Sequence, residues 1–176
     1  MENKEQEKDL NSSQKGKEMI NSEFAKFNLK ENVTLIHRRD GKIIEERHLE
    51  NLVTSAGKAG IASRISGAGA EAAFTYVAIG IGTTAAAIGD TTLVSEITTV
   101  GGQRAADASL TRETTTVTND TAVIDYTYTF TGTLAVTESG ILNASSAGTL
   151  LSRRVFSAIN VVSGDSLQVI WKFQVS

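Results

Sequence analysis

The chain has 176 residues, enough for one domain with a substantial core plus an appendage, and a net charge of only −3. So small a charge gives no footing for nucleic acid or another polyanion, and with no cysteine there are no disulfides and no thiolate metal sites. Proline is absent as well, so turns must be made from Gly, Asn, Asp and Ser.

Residues 1–30 read as a charged N-terminal arm. More than half of the charged side chains fall within the first 50 positions, and the stretch from Met1 to about Ser22 has almost no large apolar residues. Such a segment buries too little surface to offset the entropy of ordering it. It has no apolar core of the secretory-signal kind, and no run in the chain approaches the roughly 20 apolar residues needed to span a bilayer. Phe24, Phe27 and Leu29 close the arm and are candidate partner contacts, either against a neighbouring subunit or against the hairpin that follows.

Residues 31–68 are expected to form a β-hairpin and a helix. Val33–Arg38 and Lys42–Arg47 flank Arg39-Asp40-Gly41, and Asp-Gly between extended runs is a strong hairpin signal. Neither face is purely apolar, so the hairpin either meets another subunit or forms an edge of the main sheet. His37 and Arg38 join the candidate partner contacts on this ground. His37 and His48 could approach across the hairpin and, with Glu46, suggest a metal site, but no third ligand has the expected spacing. Both read as surface or interface histidines, and no metal is expected. From Leu49 to Ile65 apolar residues recur at three- and four-residue spacing, which predicts a helix. Its Ala56, Gly57, Ala59, Gly60 and Ala62 permit close packing onto the chain's own sheet, and Gly67-Ala68-Gly69 ends it.

Residues 69–176 read as an antiparallel β-sandwich, jelly-roll-like. Strands are expected at Phe74–Ile79, Val94–Thr99, Ala108–Thr118, Ala122–Phe130, Thr133–Val136, Leu150–Ala158 and Ser166–Val175, separated by turn signals such as Asn119-Asp120 and Gly164-Asp165. In the last strand Leu167, Val169, Trp171, Phe173 and Val175 alternate with Gln168, Lys172 and Gln174, the pattern of a half-buried strand. Tyr126, Tyr128 and Phe130 share one face of an earlier strand, with Asp125, Thr127 and Thr129 on the other. The fold class is mainly β.

Few residues suggest reaction chemistry. Gly80-Ile81-Gly82-Thr83-Thr84-Ala85 matches a dinucleotide fingerprint, but that motif needs a helix opening there, and Gly89-Asp90 interrupts it. The acids Asp107, Glu113, Asp120, Asp125 and Glu138 are scattered, form no calcium loop, and read as turn caps and surface charge. Arg153-Arg154 reads as an interface or salt-bridge pair. No catalytic residue, cofactor or metal is expected, and the chain reads as a non-enzyme.

Two series of residues resemble a known group. Phe74-Thr75-Tyr76-Val77-Ala78-Ile79-Gly80, Gly82–Ala86, Asp90-Thr91-Thr92-Leu93 and Glu96-Ile97 form the first. The second comprises Thr137–Ala144, Leu150-Leu151-Ser152-Arg153, Phe156 and Ser163–Val169. Together they are similar to small tailed-bacteriophage virion proteins of the decoration, tail-fibre-like or minor structural kind, over residues 49–176. The resemblance implies a homo-oligomeric β-module, most simply a trimer, on a virion assembled in the host cytoplasm. Its N-terminal region would attach to other virion proteins such as major capsid or tail proteins, without nucleic acid or membrane. It points to capsid decoration, with a tail, fibre or baseplate role in host attachment as the alternative.

Overall fold

The structure is a computed structural model that describes residues 28–105 and 108–176. Two antiparallel sheets face one another. Strands β1 (Leu29–Arg39), β2 (Lys42–Glu50), β5 (Ser109–Glu113), β6 (Thr121–Thr129) and β9 (Ser166–Val175) form a sheet in the order β2-β1-β9-β6-β5. The second sheet has the order β3-β8-β7-β4, from β3 (Leu52–Val53), β4 (Tyr76–Gly80), β7 (Leu134–Leu142) and β8 (Leu150–Val161). The pairings nest: β1 with β9, β3 with β8, β4 with β7, and β5 with β6.

The hairpin is therefore not a unit apart from the sandwich. Asp40 and Gly41, with φ of 51° and 75°, make the turn in which both central residues are left-handed. Beyond it β1 pairs with β9 along its whole length, from Leu29 opposite Val175 to Arg38 opposite Ser166. This places Leu29 and Lys30 in the sheet, not in the arm to which the expected boundary at residue 30 assigned them. Asn28 and Ser176 exchange both backbone hydrogen bonds, at 2.7 and 2.9 Å.

The core between the sheets follows period two. Leu167, Val169, Trp171 and Phe173 point inward from β9, as the alternation predicts, and meet Val33 and Leu35 of β1. Tyr128 and Phe130 join them, and Tyr128 donates its hydroxyl hydrogen to the Val77 carbonyl oxygen at 3.0 Å. Trp171 Nε1 donates across the core to Ser139 Oγ at 3.2 Å, and that hydroxyl donates to the Ala78 carbonyl oxygen.

Helix α1 (Ser55–Ser66) is shorter than its periodicity predicts. Leu49 and Leu52 belong to β2 and β3, because Thr54 stops the strand and caps the helix. Its Oγ1 accepts from Gly57 N at 2.9 Å and donates to the Leu150 carbonyl oxygen at 2.6 Å. The helix packs onto β8, as its small residues suggest. A Cβ on Gly57 would strike the Leu151 backbone, and one on Gly60 would strike the Phe74 ring.

Two further expectations differ. Val94–Thr99 forms no strand and contributes only an isolated bridge, Gly80 with Glu96. Strand β7 instead runs on through Leu142, well past Val136, and is buried on both faces over most of its length. The β7 difference has a plain cause. The connection that follows β4 lies over the outer face of the second sheet, where Leu93 packs with Ala78, Leu142 and Leu150 in a small separate cluster. A strand covered on both sides shows no apolar–polar alternation.

Candidate functional site

Three places in the described residues gather chemistry, and they lie apart. The first is under the connection just described. Glu138 is fully buried, yet all of its acceptor capacity is used. Oε1 accepts from the backbone N–H of Gly82 at 3.0 Å and of Ser95 at 2.7 Å. Oε2 accepts from Val94 N at 3.1 Å and from Arg153 Nε at 2.8 Å. Arg153, itself 1% exposed, also donates to Asp90 Oδ2 at 2.8 Å and to the Thr84 carbonyl oxygen at 2.9 Å. One carboxylate and one guanidinium thus fasten both arms of a long connection to the sheet. The expectation that Glu138 is surface charge is corrected, whereas the salt-bridge reading of Arg153 is what the structure has.

This clamp also accounts for the glycines that imitate a dinucleotide fingerprint. A Cβ on Gly80 would come within 2.5 Å of Glu138 Oε1, and one on Gly82 would collide with the same carboxylate. No helix opens after β4; the Gly82 amide binds an internal carboxylate, where the motif would hold a phosphate. The glycines allow a backbone to approach a buried charge.

The second place is the opposite end of the sandwich, at the β8–β9 turn. Asp165, 1% exposed, accepts from His37 Nε2 at 2.8 Å, from Arg39 Nε at 2.8 Å and Nη2 at 2.7 Å, and from Val162 N at 3.0 Å. The Arg39 hydrogen bonds hold its carboxyl well below the usual carboxylate range, helped by the Val162 amide and His37 and opposed by burial. His37 is therefore not a surface or interface histidine. It is 2% exposed because odd-numbered residues of β1 point inward, and it closes the end of the core beside Leu35. Neighbouring Arg38 faces outward and donates to Gln168 Oε1 at 3.1 Å.

His48 stands on the other side of the sheet. Register pairs it with Thr34, whose Oγ1 lies 3.0 Å from its Nδ1, and Glu46 is 3.2 Å from its Nε2. The two histidines thus lie on opposite faces and do not converge. Among the described residues no three His, Asp or Glu side chains come together in a metal-holding arrangement.

The third place is an apolar groove of about 530 Å³ where the sandwich opens beside α1. Leu29, Ile61, Ile65, Phe74, Phe173 and Val175 line it, among others. The expected partner contacts thus divide. Leu29 is on the groove, while His37 and Arg38 are eight and nine residues further along β1, roughly 26–30 Å away at about 3.3 Å per residue. Phe24 and Phe27 lie outside the described residues, as does Asp107. Among the other acids, Asp120 caps a turn by accepting from the amides of Thr115, Thr116 and Val117, and the Val117 bond leads in holding its carboxyl well below the usual range.

The groove and the clamp were missed in the sequence because neither has a local signature. Glu138 and Arg153 sit diagonally across β7 and β8, where Glu138 pairs with Val155 and Arg153 with Gly140. The groove is assembled from α1, the approach to β4, and strands of both sheets. No protein-family model, curated protein or solved structure matches this chain.

Proposed function

We propose that this is a bacteriophage virion structural protein: an oligomeric β-module, most simply a trimer, held on the particle through its N-terminal region and serving at the capsid surface. What supports this reading, beside the resemblance of residues 49–176, is how the polar side chains are used. Each of the nine buried polar side chains among the described residues, including His37, Glu138, Arg153 and Asp165, has a hydrogen-bond partner within the chain. Their chemistry is committed to fastening the fold, as suits a particle component that must persist. Strand β2 leaves one sheet edge open and carries exposed Ile43 and Ile44, an apolar patch suited to a lateral contact.

Attachment falls to the charged stretch before Met19, which lies outside the described residues. Removing residues 2–18 should leave the far-ultraviolet circular dichroism unchanged and abolish co-purification with particles. Incorporation at the full level would refute the attachment role. Counting copies per particle by quantitative mass spectrometry tests the location: hundreds of copies are expected, and a dozen or fewer would place the protein at the tail or a vertex.

A further inference from the structure

The apolar groove begins where the described chain begins. Leu29, the first residue of β1, forms one wall; Ile61 and Ile65 of α1 form another, and Phe74 and Phe173 lie between them. It is open to solvent and has a volume of about 530 Å³. Two side chains on it remain in water, Ile65 at 75% exposure and Val175 at 45%.

We infer that this groove is the seat of the chain's own residues Ile20–Phe27, with Phe24 and Phe27 as the anchoring side chains. Sequence position, direction and tethering support this. Before Asn28 the large apolar residues are concentrated at Met19, Ile20, Phe24 and Phe27, whereas Glu2–Glu18 contains only Leu10. The double hydrogen bond between Asn28 and Ser176 fixes the chain next to Leu29 and Val175 of the groove wall. An extended chain places residues two apart on one face, so a continuation of the β1 conformation by two residues would put Phe27 on the side of Leu29. At no more than about 3.6 Å per residue, the Phe27 Cα is within roughly 7 Å of the Leu29 Cα, and that of Phe24 within roughly 18 Å.

A segment tethered so closely has an effective concentration in the millimolar range, which favours it over the same segment of a second copy. Burying the two rings removes their apolar area from water, which favours the docked segment. The inferred occupant is residues 20–27 and the proposed particle attachment is assigned to residues before Met19, so the two use different parts of the arm and can fail separately.

The absence of cysteine makes disulfide trapping in the free full-length protein unambiguous. Ala25→Cys lies between the two anchors without removing either, and Arg64→Cys lies on the groove's rim. Under mild oxidation the pair should form an intrachain disulfide at least tenfold faster than Ala25→Cys with Lys42→Cys. Lys42 is opposite Arg39 at the far end of β1, roughly 33 Å from Leu29 at about 3.3 Å per residue. Adding Phe24→Asp and Phe27→Asp should leave the circular dichroism unchanged, slow the cross-link at least threefold although the tether remains, and raise binding of an apolar dye. A cross-link no faster than the control, one that both Asp substitutions leave as fast, or one found only between two chains would overturn the inference.

Discussion

Replacing Glu138 and Arg153 separately and together by Met distinguishes two accounts of the clamp. If the ion pair is the stabilising unit, the two single variants should cost alike, and the double variant should recover much of the loss, as buried pairs exchanged for apolar residues often do. The hydrogen bonds predict otherwise. Three of the four donors on Glu138 are backbone amides, of Gly82, Val94 and Ser95. Glu138→Met removes the partner of all three; the Gly82 bond is buried and the Val94 and Ser95 bonds are part-buried, so the sum at about 1–3 kcal/mol each, about 3–9 kcal/mol, is an upper bound. Even its lower part is a large share of the about 5–15 kcal/mol by which a domain of this size is stable. Arg153→Met instead leaves a carboxylate that still accepts three amide hydrogen bonds, so its cost should fall near or below the low end of the 3–5 kcal/mol expected for breaking a buried pair.

The double variant should therefore be no more stable than Glu138→Met. Trp171, the single tryptophan and fully buried, reports unfolding directly in urea. With a slope of about 2 kcal/mol per molar, Arg153→Met should lower the midpoint by about 1.5 M, and Glu138→Met by more. A double variant that regains the wild-type midpoint, or an Arg153→Met that is the more damaging single change, would refute this reasoning.

Two other predictions follow, one at the clamp and one at the β8–β9 turn. Gly82→Ala should lower the thermal midpoint markedly, because its Cβ collides with Glu138 and Val94, whereas Gly89→Ala, with nothing within 4 Å, should not. Acid should weaken the fold through Asp165, whose folded-state pKa lies below the ordinary 3.8. Its contribution is complete above about pH 4 and is lost as pH falls from there towards the depressed value, since the unfolded chain takes up the proton first. Urea midpoints measured from pH 7 to pH 2.5 should fall below pH 4, and Asp165→Asn should lower the midpoint at pH 7 and flatten that fall; an equal fall in the variant would clear Asp165 of the effect.

The amino-acid order alone determined whatever has a short period or a local turn. Strand β9 falls at Ser166–Val175 as expected, since one of its faces meets the core and the other does not. The Asp40-Gly41 turn, the termination of α1 at Gly67 and the mainly β class are local in the same sense. What depends on a second covering layer could be decided only by the tertiary structure. Strand β7 lost its alternation because the connection after β4 buries its outer face, whereas Val94–Thr99 buries only Ile97, in the core between the sheets, and makes one bridge to β4.

The same holds for the charged groups. His37 and His48 look equivalent on paper, yet a single step of register sends one into the core against Asp165 and the other to solvent. Glu138 resembles any scattered acid until backbone amides from residues 82, 94 and 95 close around it. Side chains distant in sequence meet only after the strands have paired, so burial and charge pairing belong to the assembled sheets, while periodicity and turns belong to the chain.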